Sequence, residues 1–151
     1  MSAQIGVLRA AVSKVPARVH VEALQIRYAP QVLVCTGCLS GWNGSKGFEA
    51  YGLLDNQVQF LKGWFKDTLP TAPITQLAVM RLDGDYYEST VDALHNLYGK
   101  LSVGGFVIID DYGQDDWTYC RKAVDDFRAA EGITAKMVRV DSTCHYWQRE
   151  V

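Results

Sequence analysis

Two acidic clusters carry the chemistry that this sequence offers. Asp83-Gly84-Asp85 ends the short apolar run at residues 78–82, which Arg81 interrupts, and Asp110-Asp111 ends the run at residues 105–109. Carboxylates brought together repel one another unless a cation neutralises them, and hard oxygen donors select Mg2+ or Ca2+ over softer metals. On that reading Asp83, Asp110 and Asp111 converge on one divalent ion. The same acids would equally suit loop ends that face water or cap the following helix.

For the clusters to meet, the elements around them must place them on one edge. Both runs are short and apolar and bounded by turn residues, as strands buried on both faces are. Between them Tyr87, Val91, Leu94, Tyr98 and Leu101 recur at steps of four and three, which predicts one face of a helix. Gly99, Gly104 and Gly105 then turn the chain. The stretch 77–112 is therefore a βαβ unit, whose helical crossover makes its strands parallel. Both clusters fall at the carboxyl ends of their strands, the edge where open α/β sheets take ligands.

The remaining chain frames this unit. At 151 residues with 48% hydrophobic content it has one domain's worth of core, and its formal net charge of −2 gives no basic field for nucleic acid. No apolar run approaches the ~20 residues of a membrane span, and no charged-then-apolar leader opens the chain, which predicts a cytoplasmic protein. Residues 5–15 suit a short amphipathic helix. Residues 18–28 alternate like a strand, although the Glu22-Ala23-Leu24 step also suits a helix, and residues 31–36 form a further apolar run beyond Pro30. Cys35-Thr36-Gly37-Cys38 is a CxxC without the second ligand pair that zinc needs. Residues 48–54 read as a helix end, 58–61 as a strand, and Gly63-Trp64-Phe65 as its exit. Trp64 has the ring to stack on adenine, and Trp64 with Phe65 equally suits a core. A helix over about 115–130, with Trp117, Cys120, Val124 and Phe127 inward, precedes two closing strands at 136–140 and 144–149.

Several motifs in this order resemble one family: Tyr51-Gly52-Leu53-Leu54-Asp55, the run from Gly63-Trp64-Phe65 to Thr68-Leu69-Pro70, Arg81-Leu82-Asp83-Gly84-Asp85, Tyr87-Glu88-Ser89-Thr90 and Ile109-Asp110-Asp111-Tyr112. Ala123-Val124-Asp125-Asp126-Phe127-Arg128 and Tyr146-Trp147 continue it. These residues resemble the macrocin O-methyltransferases, sugar O-methyltransferases of antibiotic biosynthesis. The resemblance implies an α/β fold of the class I methyltransferase type, a doubly wound and mostly parallel sheet with an antiparallel C-terminal strand pair. It implies S-adenosylmethionine and Mg2+ as cofactors and a small hydroxylated metabolite, in all expectation a glycoside, as substrate. Carried over by position, Asp83 is both metal ligand and general base, with Asp85 the alternative base. Asp110 and Asp111 complete the metal set, and Gly63, Trp64 and Asp83 contact the methyl donor.

The resemblance covers residues 48–151. Residues 1–47 depart from it: Thr36-Gly37-x-x-x-Gly41 only partly echoes the family's cofactor loop, and Cys35 stands where that loop's acid should be. About twenty residues separate Gly37 from Val58, too few for the intervening helices and strand. The expectation is a sheet incomplete in its N-terminal half, from a truncated or rearranged chain. The competing reading is a non-catalytic remnant of the family that self-associates through its open sheet edges.

Overall fold

The computed structural model describes residues 23–28, 31–36, 44–52, 54–56, 58–113 and 118–151. The expected helix at 5–15, Gly37 and Cys38 of the CxxC, and Trp117 lie outside the described residues. The elements are β1 (Ala23–Tyr28), β2 (Gln31–Thr36), α1 (Gly44–Ala50), β3 (Val58–Lys62), α2 (Phe65–Thr68), β4 (Leu77–Leu82), α3 (Tyr87–Leu97), β5 (Leu101–Ile109), α4 (Thr118–Ala130), β6 (Val138–Arg139) and β7 (His145–Gln148).

These strands form one mixed sheet in the order β3-β2-β1-β4-β5-β7-β6. β4 and β5 are parallel, as the helical crossover through α3 requires, and β2 and β3 are parallel. β7 pairs antiparallel with both β5 and β6, giving the expected C-terminal pair. The departure from a parallel sheet is β1. Two residues join it to β2, and so short a connection permits only antiparallel pairing. β1 also runs antiparallel to β4, through Gln25–Arg81, Ile26–Met80 and Arg27–Val79. β1 and β2 thus join without a helical crossover, whereas α1 lies between the parallel β2 and β3 as α3 lies between β4 and β5.

The core lies on one face of β4 and β5. Met80, Leu82, Val107 and Ile109 meet Leu94 and Leu97 of α3 and Val124 and Phe127 of α4 there, and Trp147 of β7 is fully buried. Each fully buried aliphatic contributes about 1.5–3 kcal/mol. The opposite face of β4 is only partly covered, so burial on both faces does not hold. The buried stripe of α3 is Thr90, Ala93, Leu94 and Leu97. It is rotated from the predicted one because Thr90 and Ala93 are buried alongside Leu94 and Leu97, while Tyr87 turns toward α4, where its hydroxyl donates to Asp126 at 2.9 Å. Leu101 belongs to β5, not to the helix.

A bulge in β5 sets the register that delivers the acidic ends together. Leu77 pairs with Leu101, yet Val79 pairs with Phe106, so the chain at Ser102–Gly105 is looped out. Gly104 has φ +82°, and a Cβ on Gly105 would stand 2.8 Å from the Ala78 carbonyl oxygen. At the far end of the bundle Arg149 lies over the Tyr98 ring and donates to the carbonyls of Tyr98 (2.8 Å) and Leu101 (2.5 Å), closing the C-terminus of α3. No described helix is long and apolar enough to cross a membrane.

Candidate functional site

The parallel ladder of β4 and β5 continues one bond past its strands, with the Asp110 amide donating to the Leu82 carbonyl at 2.9 Å. Both acidic clusters therefore emerge side by side. Successive residues of an extended chain point to opposite faces, and that alternation separates the two neighbouring acids. Asp110 turns to the face of Arg81, whereas Asp111 turns toward the core face and is 9% exposed.

Asp83, Asp85 and Asp111 each bring a carboxylate oxygen within 4.8 Å of the other two. Asp85 has φ +50°, a left-handed conformation that Asp tolerates better than most residues. That turn aims its backbone amide at Asp111 Oδ2, 3.4 Å away. Burial, and after it the charges of Asp83 and Asp85, push the Asp111 carboxyl up to about 7. Carboxylates so crowded and desolvated form a poor site for a proton-free, cation-free protein and a good one for a hard divalent ion. The residues thus fit Mg2+.

Arg81 stands beside this trio. Its Nη2 lies 3.3 Å from Asp83 Oδ2 and also pairs with Asp110 Oδ2. The structure accordingly joins Asp83 and Asp111 with Asp85, and engages Asp110 with Arg81. The signal for Arg81 was present in the sequence, since a charge inside a buried strand requires a counter-ion.

Other side chains brace the rim. Thr90, 1% exposed, donates to the Tyr86 carbonyl at 2.8 Å and contacts Cys120 Sγ at 3.6 Å, tying α3 to α4 beneath the acids. Burial pushes the Cys120 thiol up to about 12, which makes it an inert packing residue. The Tyr112 hydroxyl donates to Asp125 at 2.8 Å, and Arg121 Nε donates to the Tyr112 carbonyl at 2.9 Å. The Gly113 amide donates to Thr143 at 2.7 Å, so the loop after the acids rests on the turn before β7.

Gly63 and Trp64 follow β3, whose carboxyl end points to the same rim as that of β4. β2 and β1 stand between β3 and β4, so at ~4.8 Å per strand these residues start roughly 14 Å from the acidic trio. Gly63 has φ +145°, and a Cβ there would meet Thr68 Cγ2 at 2.7 Å. Phe65 is core at 5% exposure, whereas Trp64 is 54% exposed and presents its ring to solvent. β2 does not lie beside β4, because β1 stands between them, and residues 37–43 are outside the described residues.

Comparison with known proteins agrees with this fold. The family described as macrocin-O-methyltransferase (TylF) matches residues 39–149. An 8-demethyl-8-(2,3-dimethoxy-alpha-L-rhamnosyl)-tetracenomycin-C 4'-O-methyltransferase from Streptomyces olivaceus is 60% identical over 101 residues, 67% of this chain and 38% of its own length. A demethyldecarbamoylnovobiocin O-methyltransferase from Streptomyces niveus is 57% identical over 104 residues, 69% of this chain and 39% of its own length. The solved structure of the O-methyltransferase NovP superposes with a TM-score of 0.67 at 56% identity, covering 70% of this chain and 43% of that one. The chain spans about two-fifths of the length of these relatives. The sheet is of the class I methyltransferase type, and with three-quarters of its sequence inside the family match, the chain belongs to the macrocin-O-methyltransferase family.

Proposed function

We propose that this chain carries the metal and acceptor-hydroxyl site of an S-adenosylmethionine-dependent, Mg2+-dependent O-methyltransferase that acts in the cytoplasm on a sugar of a glycosylated natural product. The observation that carries the reading is the approach of Asp83, Asp85 and Asp111 within 4.8 Å at the carboxyl rim. Asp83 and Asp111 hold the ion with Asp85. Asp110, the third ligand expected from the sequence, is paired with Arg81 here and joins only where that pair opens.

A sugar hydroxyl is a poor nucleophile at neutral pH, and a bound divalent cation supplies the charge that lowers its pKa. The side chains do the rest. Asp83 takes the hydroxyl proton, with Asp85 as the alternative base. Thr90 and the Tyr112–Asp125 bond keep the carboxylates from relaxing apart. Trp64 offers an exposed ring to the adenine, with Gly63 giving the turn that sets it. The methyl group of a sulfonium donor is already activated, so in-line placement of acceptor and donor is the remaining requirement.

The antiparallel β1 favours a second reading, a family member that binds the cation without turnover, because β1 stands between β2 and β4. Calorimetric titration with S-adenosylmethionine in the presence of Mg2+ separates the two. The catalytic reading expects saturable binding and methyl transfer to a glycoside acceptor. Mg2+ binding with no donor binding at millimolar ligand refutes it in favour of the second.

A further inference from the structure

Among the described residues, Arg81 is a cation built into the rim that the proposed reaction does not use. Its side chain is 13% exposed, held between Asp83 and Asp110 on the face of β4 away from the core. Its Nε is buried with no hydrogen-bond partner among the described residues. The guanidinium is therefore kept in place by its carboxylates rather than by a full set of hydrogen bonds. One of those carboxylates, Asp83, also belongs to the trio that faces Asp85 and Asp111.

Resting on the metal reading above, we propose that Arg81 is a positioning residue that acts as a tethered competitor for the divalent ion. It shares Asp83 with the ion, neutralises Asp110, and so holds affinity down. At 3.3 Å from a ligand carboxylate a fixed positive charge opposes any second cation, and partial burial weakens the screening of that opposition. A monovalent ion gains too little from the remaining carboxylates to displace it, whereas a divalent ion gains enough.

Titration of the full chain with Mn2+, followed by the electron paramagnetic resonance signal of the free ion, tests this. Arg81→Gln is expected to tighten Mn2+ binding on the order of tenfold, the scale of one charge removed at short range. Arg81→Lys, which keeps the charge, is expected to stay within about threefold of wild type, since a flexible point charge replaces the fork. A gain in affinity is a readout that loss of structure cannot imitate. Arg81→Met serves if the Gln variant loses its native circular dichroism. Equal or weaker Mn2+ binding in a folded Arg81→Gln or Arg81→Met protein overturns the competition while the metal site stands. Absence of Mn2+ binding in wild type overturns both.

Discussion

At the scale of the residue, the rim divides its acids: Asp83, Asp85 and Asp111 crowd together while Asp110 pairs with Arg81. Apolar runs ending in Asp placed Asp83 and Asp111 on one edge. Pattern alone did not separate Asp110 from Asp111, because adjacent residues share a position in sequence while the strand sends them to opposite faces. Arg81, visible only as an interruption, is the partner that claims Asp110. The crowding of the trio has a measurable sign. A carboxyl whose folded pKa is raised from 3.8 to about 7 costs stability increasingly as pH rises through that interval. Asp111→Asn is thus expected to stabilise the metal-free protein at pH 8, by on the order of 2 kcal/mol after allowance for its partial exposure to water. The same variant should lose the rise in Tm that Mg2+ gives wild type. Calorimetric melting with and without Mg2+ reads both effects.

At the scale of the element, the C-terminal half followed its pattern closely because local signals agree with tertiary packing there. β4, α3 and α4 form where periodicity put them, whereas β5 begins at Leu101 and takes in Gly104 and Gly105, which had read as a turn. The bulge was less visible, since Gly104-Gly105 reads as a helix stop until the register of β5 is known. Gly105→Ala should destabilise by about 1–3 kcal/mol, because a Cβ would meet backbone oxygens that cannot move aside; denaturant unfolding checks this. Arg149→Ala should cost about 2 kcal/mol by removing the charged cap from the carbonyls ending α3. The turn before β7 carries a pH signature. Asp141 accepts from the amides of Cys144 (2.8 Å) and Thr143 (2.9 Å), and the Cys144 bond above all holds its carboxyl below the usual value. A depressed folded pKa stabilises above the unfolded value of about 3.8 and is lost as pH falls below it. Asp141→Ala is expected to lie roughly 1 kcal/mol below wild type at pH 7, and the gap should close on acidification through that range. Thermal melts at a series of pH values report it.

At the scale of the whole molecule, the described residues make a seven-stranded sheet whose two halves are built differently. β4 through β7 reproduce what the motifs implied. β1 and β2 form an antiparallel hairpin, and the two-residue link between residues 28 and 31 was the sequence signal for it. The acidic rim belongs to the better-specified half, and the family match, which begins at residue 39, extends beyond it to α1 and β3. On the proposed reading, aspartates that follow β4 and β5 make one divalent-cation site. Isothermal titration of the full chain with Mg2+ at pH 8 reads that site. One saturable site per chain is expected, abolished by Asp83→Asn and by Asp111→Asn while the fold is retained. No saturable heat in wild type, or an unchanged isotherm in those variants, would contradict it.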